Sequence, residues 1–132
     1  GPIVAHGVDI VAISRIADLL SEFDDSFRNR VFTPTEQTYC EAQADPPQHY
    51  AARWAAKEAI SKVLGTGVGE ACAWTDMRIH RTESGKPSAV LSGRAKKTMQ
   101  ALGIDAIHVT ISHEKNLACA AAIAESNHAP QP

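Results

Sequence analysis

Alternating apolar and polar positions predict strands at several points of the chain. From Ile3 to Val11 the side chains alternate between two faces, and Asp9 falls among the small residues of one of them. A carboxylate held on such a face needs a partner, because burial without one is costly. Further strands are predicted at 75–81, 88–91 and 107–113, whereas 117–124 fits a short helix and a hairpin strand equally well.

Apolar residues at helical spacing predict several helices. Ser14 is the predicted N-cap of the first helix, which the segment 24–26 interrupts. Thr33 caps the second helix, with Pro34 in its first position and Glu36 completing a capping box. The second helix runs toward Gln43 and is stopped by Pro46 and Pro47, a long helix covers about 48–64, and Ser92 begins a short helix that reaches Ala101.

The long helix carries two pairs of charged residues spaced four apart. Arg53 precedes Lys57 and Glu58 precedes Lys62, so the members of each pair share a helical face. Spacing alone favours an ordinary surface salt bridge between Glu58 and Lys62. Gly65 is the predicted C-cap, so the Gly-Thr-Gly turn follows the helix, whereas the glycines of a phosphate-binding loop precede one. A phosphate at this turn would depend on the side chains of Lys57 and Lys62.

Composition limits the class of protein. The chain has 132 residues, of which 44% are hydrophobic and 21% charged, and we expect one domain over 1–126 with a disordered tail at 127–132. The net charge of −2 gives no general basic field for nucleic acid. No apolar run reaches the roughly 20 residues of a membrane helix. The three widely spaced cysteines form neither a disulfide framework nor a metal motif, which favours a cytoplasmic protein.

Five side chains provide candidate chemistry: Asp9, Glu58, Lys62, Lys86 and His113. Two carboxylates suit Mg²⁺, which keeps water and accepts phosphate oxygens in the rest of its shell. Lysines beside such a metal suit phosphoryl transfer, where positioning and charge neutralisation provide most of the catalysis. Each residue alone also fits a structural role: a turn or cap for Asp9, a hairpin tip for Lys86 and a strand end for His113.

Five blocks of sequence, taken in order, point to a family. They are Gly7-Val8-Asp9-Ile10 followed by Arg15-Ile16, Phe32-Thr33-Pro34-Thr35-Glu36 followed by Tyr39-Cys40, Arg53-Trp54-Ala55-Ala56-Lys57-Glu58-Ala59 continuing through Lys62 to Gly67, Gly85-Lys86-Pro87, and Val109-Thr110-Ile111-Ser112-His113. With these blocks spread over about residues 3 to 125, the chain resembles the holo-acyl-carrier-protein synthases, the short branch of the 4′-phosphopantetheinyl transferase superfamily.

The resemblance implies a fold and an activity. The fold would be α+β, a small antiparallel sheet packed with a long central helix and shorter helices, assembled as a homotrimer with active sites at subunit interfaces. The activity would be transfer of the 4′-phosphopantetheine group from coenzyme A to a serine of apo-acyl carrier protein, with release of adenosine 3′,5′-bisphosphate, in support of fatty acid biosynthesis. The metal would be Mg²⁺, with Mn²⁺ as an alternative.

The resemblance also implies roles for individual residues. Asp9 and Glu58 would hold the metal, and Lys62 would neutralise the pyrophosphate and assist the leaving group. The general base would be Glu58 or a water held by the metal. Coenzyme A would contact Arg53, Lys62, Gly65, Thr66, Lys86, Pro87, Ser112 and His113, and the acidic carrier protein would contact Arg15 and Arg28, with Arg30 extending the basic surface.

Three positions depart from the usual pattern of the family. Trp54 stands where Phe is commoner, Glu114 where Thr or Ser is usual, and Leu117 where an aromatic residue is common. Two alternative functions are compatible with the residues. One is a trimeric module that binds coenzyme A or a nucleotide without catalysis, and the other is a coenzyme-A-dependent acyltransferase with Cys40 or Cys119 as nucleophile.

Overall fold

The computed structural model of the chain describes residues 1–127, so the predicted disorder of residues 128–132 lies outside the described residues. The elements in chain order are β1 Ile3–Ala12, α1 Ile13–Val31, α2 Pro34–Glu41, α3 Pro46–Leu64, β2 Met77–Arg81, β3 Pro87–Leu91, α4 Gly93–Ala101, β4 Ala106–His113 and β5 Leu117–Glu125. A 3-10 turn at Trp74–Asp76 precedes β2. Helices packed on antiparallel strands confirm the predicted α+β class.

The sheet settles the ambiguity of segment 117–124. Strands β1, β5 and β4 form an antiparallel sheet in that order, and β2 pairs with β3 in a separate hairpin. The alanines of 117–124 favour a helix locally. Pairing of their backbone with β1 on one side and β4 on the other overrides that preference, because the segment is the central strand.

Alanine side chains dominate the contact between the sheet and α3. The inward side chains of β5 are Ala118, Ala120, Ala122 and Ala124, and α3, which packs on β5, buries Ala51, Ala55, Ala56 and Ala59. Such small side chains let the helix lie close to the strands. A Cβ atom on Gly7 of β1 would be 2.5 Å from the carbonyl oxygen of Ala59. Strand β1 and helix α3 therefore meet backbone to backbone at Gly7.

The opposite face of the sheet is exposed and carries apolar side chains on β1 and β5, with His6 among them and the polar residues His108, Thr110 and Ser112 on β4. Val4, Val8 and Ile10 of β1 are 51%, 63% and 64% exposed, and Ile123 of β5 is 38% exposed. We call these four residues and the sheet surface between them the outer sheet face. Contiguous exposed apolar side chains of this kind mark interaction surfaces.

Two helix starts differ from the predictions. Helix α1 has Ala12 as its N-cap, with no side-chain cap, so the predicted capping role of Ser14 is wrong. The N–H of Ile13 donates instead to the carbonyl of Asn116 at 2.9 Å, in the turn between β4 and β5. The prolines predicted to stop α2 begin α3 at Pro46, because the first helical turn needs no N–H donor there.

Several local predictions are confirmed. Asp24 breaks α1 with a φ of 50° and a ψ of −127°. The Thr33 hydroxyl accepts from the N–H of Glu36, and the Glu36 carboxylate accepts from the N–H of Thr33, which is the predicted capping box. Gly65 ends α3 in the left-handed conformation with a φ of 77°. Ser92 occupies the N-cap position of α4 but makes no side-chain capping bond.

Candidate functional site

Asp9 and Lys62 form an ion pair where β1 packs on α3. Lys62 donates from Nζ to Oδ1 of Asp9 at 3.2 Å and to the carbonyl of Val8 at 2.7 Å. The Asp9 side chain is 17% exposed and the Lys62 side chain 49% exposed, so a ligand can reach both. Spacing alone favoured Glu58 as the partner of Lys62, but the ion pair that the structure contains joins Lys62 to Asp9.

Glu58 lies in the electrostatic field of this pair. Burial, and then the carboxylate of Asp9, raise the pKa of Glu58 above its ordinary value, while Lys62 and Arg15 act in the opposite direction. Two carboxylates that repel each other are a donor set that suits a divalent cation. Within residues 1–127 no group of three or more His, Cys, Asp or Glu side chains is arranged to hold a metal, so water or phosphate oxygens would complete the shell of an ion here.

The Gly-Thr-Gly turn continues from the helix that carries Glu58 and Lys62. The N–H of Gly65 donates to the carbonyl of Lys62 at 3.1 Å, and the N–H of Gly67 to the carbonyl of Ser61 at 3.2 Å. Thr66 donates from its hydroxyl to the carbonyl of Gly67 at 2.7 Å. A Cβ at Gly65 or Gly67 would meet no atom within 4 Å, so this backbone is open to the approach of a ligand.

Lys57 is not available to a ligand. Its side chain is 0% exposed and pairs with Glu36 at 2.7 Å. The expectation that Lys57 and Lys62 would both serve a phosphate at the turn is therefore wrong for Lys57. Both lysines belong to charged pairs spaced four apart on α3. They differ in exposure, because the rotation of α3 about its axis turns Lys57 inward and Lys62 toward solvent.

Arg53 lies in a second, cationic region, which we call the arginine pocket. This cavity of about 140 Å³ is lined by Thr35, Glu36, Tyr39, Arg53, Arg78, Ile79, His80 and Arg81. Arg53 is 3% exposed, and its guanidinium carbon lies 4.3 Å from the centre of the Tyr39 ring. Burial, and then the charges of Arg53, Arg81 and His113, lower the pKa of His49, so each of these three side chains lies near His49. Sequence reasoning missed Arg78 and Arg81, although the cationic stretch Arg78-Ile79-His80-Arg81 on β2 was a signal.

The residues assigned to coenzyme A do not all converge within one protomer. Arg53 and Lys62 are nine residues apart on α3, and at about 100° per residue their side chains leave opposite sides of the helix. His113 contacts Gln48 in the first half of α3 at 2.9 Å. Ser112 and His113 line an open pocket with Ile10, Glu114, Leu117 and Cys119, and Lys86 and Pro87 lie at the turn that joins β2 to β3.

A groove between α1 and α3 contains Arg15. It has a volume of about 460 Å³ and is lined by Arg15, Leu19, Phe23, Ser26, Phe27, Arg30, Val31, Trp54 and Trp74, which we call the aromatic groove. Trp54 and Trp74 lie 4.4 Å apart between ring centres, and Phe27 lies 5.9 Å from Trp54. Arg28 does not line this groove, because its guanidinium bonds to Asp24 at 2.8 Å and to Glu41 at 3.2 Å.

The buried cysteines are poor nucleophiles. Burial raises the pKa of Cys40 to about 12 and that of Cys72 to about 11. Cys40 is fully buried, so the acyltransferase alternative loses one of its two candidate residues. Cys119 is partly exposed and its side chain lines the pocket that contains Ser112.

Within residues 1–127, none of the helices combines the length and the apolar character that a membrane crossing requires. The helices compared with this requirement are α1 to α4.

Known proteins match nearly the whole chain. A holo-[acyl-carrier-protein] synthase of Koribacter versatilis is 39% identical over 123 residues, which cover 93% of this chain and 98% of that protein. One from Roseobacter denitrificans is 43% identical over 128 residues, with 94% and 96% covered. The crystal structure of the Neisseria meningitidis synthase superposes with a TM-score of 0.88 at 31% identity, over 95% of this chain and 100% of that one. The Helicobacter pylori synthase in complex with coenzyme A gives a TM-score of 0.81 at 30% identity, over 91% and 99%.

The model of the 4′-phosphopantetheinyl transferase superfamily matches most of the chain. It matches residues 5–122, which include Asp9, Glu58 and Lys62 together with the arginine pocket. The resemblance inferred from the five sequence blocks is thereby confirmed, and this chain belongs to the 4′-phosphopantetheinyl transferase superfamily.

Proposed function

We propose that this protein is a cytoplasmic holo-acyl-carrier-protein synthase that acts through a single transferase domain over residues 1–126. It transfers the 4′-phosphopantetheine group of coenzyme A to a serine of apo-acyl carrier protein, releases adenosine 3′,5′-bisphosphate and serves fatty acid biosynthesis. The observation that carries this proposal is the pair of interacting carboxylates, Asp9 and Glu58, with the ammonium of Lys62 beside them. A divalent cation and a lysine suit the transfer of a pyrophosphate-linked group, because positioning and charge neutralisation provide most of its catalysis.

The chain's own residues have distinct roles in this reaction. The serine oxygen forms a new bond to the phosphorus that carries the pantetheine arm, and the bond from that phosphorus to the bridging oxygen breaks. Mg²⁺ held by Asp9 and Glu58, or Mn²⁺ in its place, would neutralise the pyrophosphate. Lys62 stabilises the negative charge that develops on the departing bisphosphate. Glu58, whose pKa is raised by burial, is a candidate to accept the serine proton.

The decisive experiment is mass spectrometry of apo-acyl carrier protein incubated with coenzyme A, Mg²⁺ and this protein. We expect the carrier to gain the mass of one phosphopantetheine group. Calorimetry with coenzyme A, run in parallel, covers the non-catalytic alternative: tight binding without any transfer would favour a binding module and contradict the proposal.

We propose further that the active site forms between copies of the chain in a homotrimer. In one protomer Lys62 and the buried Arg53 lie on opposite sides of α3, which favours a site to which two protomers contribute. The outer sheet face offers an apolar surface for such an assembly. Ser112 and Glu114 line a pocket with Ile10 of that face, so they would lie beside a neighbouring copy in such a trimer.

Mixing two inactive variants tests this arrangement. Lys62→Ala and Arg53→Gln each remove one half of the proposed site and are expected to be inactive alone. After the two variants are unfolded and refolded together, about a quarter of the interfaces pair an intact Lys62 half with an intact Arg53 half. Transfer activity should return to that fraction of the wild-type rate. Mixtures that stay as inactive as their components would place the whole site within one protomer.

We propose that the carrier protein docks on the aromatic groove. Arg15 and Arg30 provide positive charge at its rim, and Phe27, Trp54 and Trp74 provide an apolar floor. An acidic helix with one apolar side chain fits this chemistry, although the net charge of the chain is −2. Arg28, which the sequence also assigned to this role, would act by holding the end of α1 against α2 through Glu41.

Charge reversal at the rim should weaken carrier binding selectively. We expect Arg30→Glu to raise the KM for the carrier protein about tenfold, with an effect that shrinks as salt is added, because a rim charge acts mainly on association. The KM for coenzyme A should stay unchanged. Arg94→Glu on α4, whose ion partner is Glu70, is the matched control and should leave both constants near wild type. An equal rise in both variants would argue against the groove.

A further inference from the structure

A buried ion pair lies beneath the surface that carries Glu58. Lys57 Nζ donates to Oε1 of Glu36 at 2.7 Å, and both side chains are 0% exposed. The same ammonium donates to the carbonyl of Val31 at 2.6 Å and to the carbonyl of Trp74 at 3.2 Å. All three of its donor positions are therefore used inside the protein.

The carboxylate of Glu36 is equally well satisfied. Beside Lys57, it accepts from the N–H of Thr33 at 2.9 Å and from the N–H of Ile79 at 2.9 Å. The pair thus connects the end of α1, the start of α2, the middle of α3, the 3-10 turn and β2. A fully satisfied network of this kind is directional, because each bond fixes both a distance and an angle.

Apolar packing restrains the rotation of α3 only in part. Next to Lys57 the helix buries the small side chains Ala55, Ala56 and Ala59, and its larger buried side chains include Tyr50, Ile60 and Leu64. Alanine ridges are shallow, so they resist rotation of a helix about its axis less than large interlocking side chains do. A buried ion pair is a weak source of stability, and its best-attested use is to specify one arrangement.

We propose that the Glu36–Lys57 pair is a positioning device for the metal site, and that Lys57 acts by fixing the rotation of α3 that aims Glu58 at the cation. The two residues are adjacent, so locking the Lys57 head group locks the backbone that carries Glu58. With side chains reaching roughly 6 Å from the helix axis, a rotation of about 10° moves a carboxylate by about 1 Å. Displacements of that size cost on the order of 100-fold in rate. This inference rests on the proposed metal-binding role of Glu58.

The test uses Glu36→Gln and the double variant Glu36→Gln/Lys57→Met. Thr33 donates to Oε1 and Ile79 to Oε2 of Glu36, so the single glutamine oxygen keeps one of these two bonds. The folded state of both variants is therefore checked by circular dichroism before binding is measured. Mn²⁺ binding without substrate, measured by electron paramagnetic resonance, should weaken about tenfold in the double variant. The value of kcat should fall while the KM for the carrier stays near wild type. Thr38→Ala on α2, whose hydroxyl bonds to the Pro34 carbonyl, is the control.

The outcomes separate positioning from stability. Folded variants with weakened Mn²⁺ binding at temperatures far below their melting points support the proposal. Folded variants whose Mn²⁺ affinity stays within about twofold of wild type overturn it. Failure of both variants to fold also overturns it, since the pair would then be a stability element. Absence of Mn²⁺ binding in the wild-type protein would contradict the proposed function instead, before any variant is compared.

Discussion

Glu58→Gln is expected to abolish transfer and to raise the melting temperature of the metal-free protein. Loss of one of two carboxylates removes the charge that would hold the cation, and such electrostatic stabilisation is worth several kcal/mol, on the order of a thousandfold in kcat. The gain in stability has a separate cause. In the folded protein Glu58 is partly buried and lies in the field of Asp9, and both raise its pKa.

Glu58→Gln is expected to stabilise the metal-free protein because folding raises the pKa of Glu58. A carboxyl whose pKa is raised by folding favours the folded state while it is protonated, and this contribution is lost as the pH rises through the folded pKa. At pH 7 the ionised Glu58 therefore destabilises the metal-free protein, and a neutral glutamine removes the penalty. The difference between variant and wild type should shrink as the pH falls below the ordinary value of 4.5, because Glu58 is then neutral in both states.

Thermal melts at pH 7 and near pH 4, with and without Mg²⁺, measure this effect. Mg²⁺ should raise the melting temperature of the wild-type protein and leave Glu58→Gln unchanged, since a ligand stabilises only a state that binds it. Glu70→Gln, which removes a carboxylate that is 92% exposed, is the matched control and should behave as wild type. A Glu58→Gln protein that melts below wild type at pH 7 and retains its response to Mg²⁺ would remove Glu58 from the metal site.

Local signals in the sequence predicted the elements that depend on local chemistry. The capping box of Thr33 and Glu36, the left-handed Gly65 and the hairpin around Gly85 each require a few neighbouring residues, and all three are present. Ser14 was wrong for a long-range reason: α1 begins one residue before Ser14, at Ile13, whose N–H donates to the carbonyl of Asn116, about 100 residues later in the chain. Strand β5 is similar, because its conformation depends on two neighbouring strands.

In the candidate site, too, the sequence indicated the residues but not the features that depend on long-range packing. The five blocks named its residues, but the sequence could not distinguish Lys57, which is fully buried, from Lys62, which is half exposed. Both are lysines in an alanine-rich helix, and the difference depends on how α3 is rotated against β1 and α2. The arginine pocket was incomplete for a related reason, because Arg78 and Arg81 join Arg53 only when β2 folds beside α3.

The close approach of β1 to α3 leads to the second large effect, expected for Gly7→Ala. A Cβ atom on Gly7 would lie 2.5 Å from the carbonyl oxygen of Ala59 and 3.1 Å from Cβ of Lys62. The first of these atoms belongs to the helix backbone and cannot turn away, so β1 and α3 must separate. We expect a loss of about 1–3 kcal/mol in the free energy of unfolding, as in other overpacked contacts.

Activity should fall further than stability does in Gly7→Ala. Asp9 lies on β1, two residues beyond Gly7, whereas Glu58 and Lys62 lie on α3, so separating the two elements pulls the proposed metal ligands apart. A displacement of about 1 Å predicts a kcat lower by on the order of 100-fold in protein that is still folded. Chemical denaturation and the carrier-protein assay at the same temperature measure the two effects. Gly69→Ala is the control, because a Cβ there meets no atom within 4 Å. If Gly7→Ala lost stability but kept the wild-type kcat, the spacing of β1 and α3 would not set the geometry of the site.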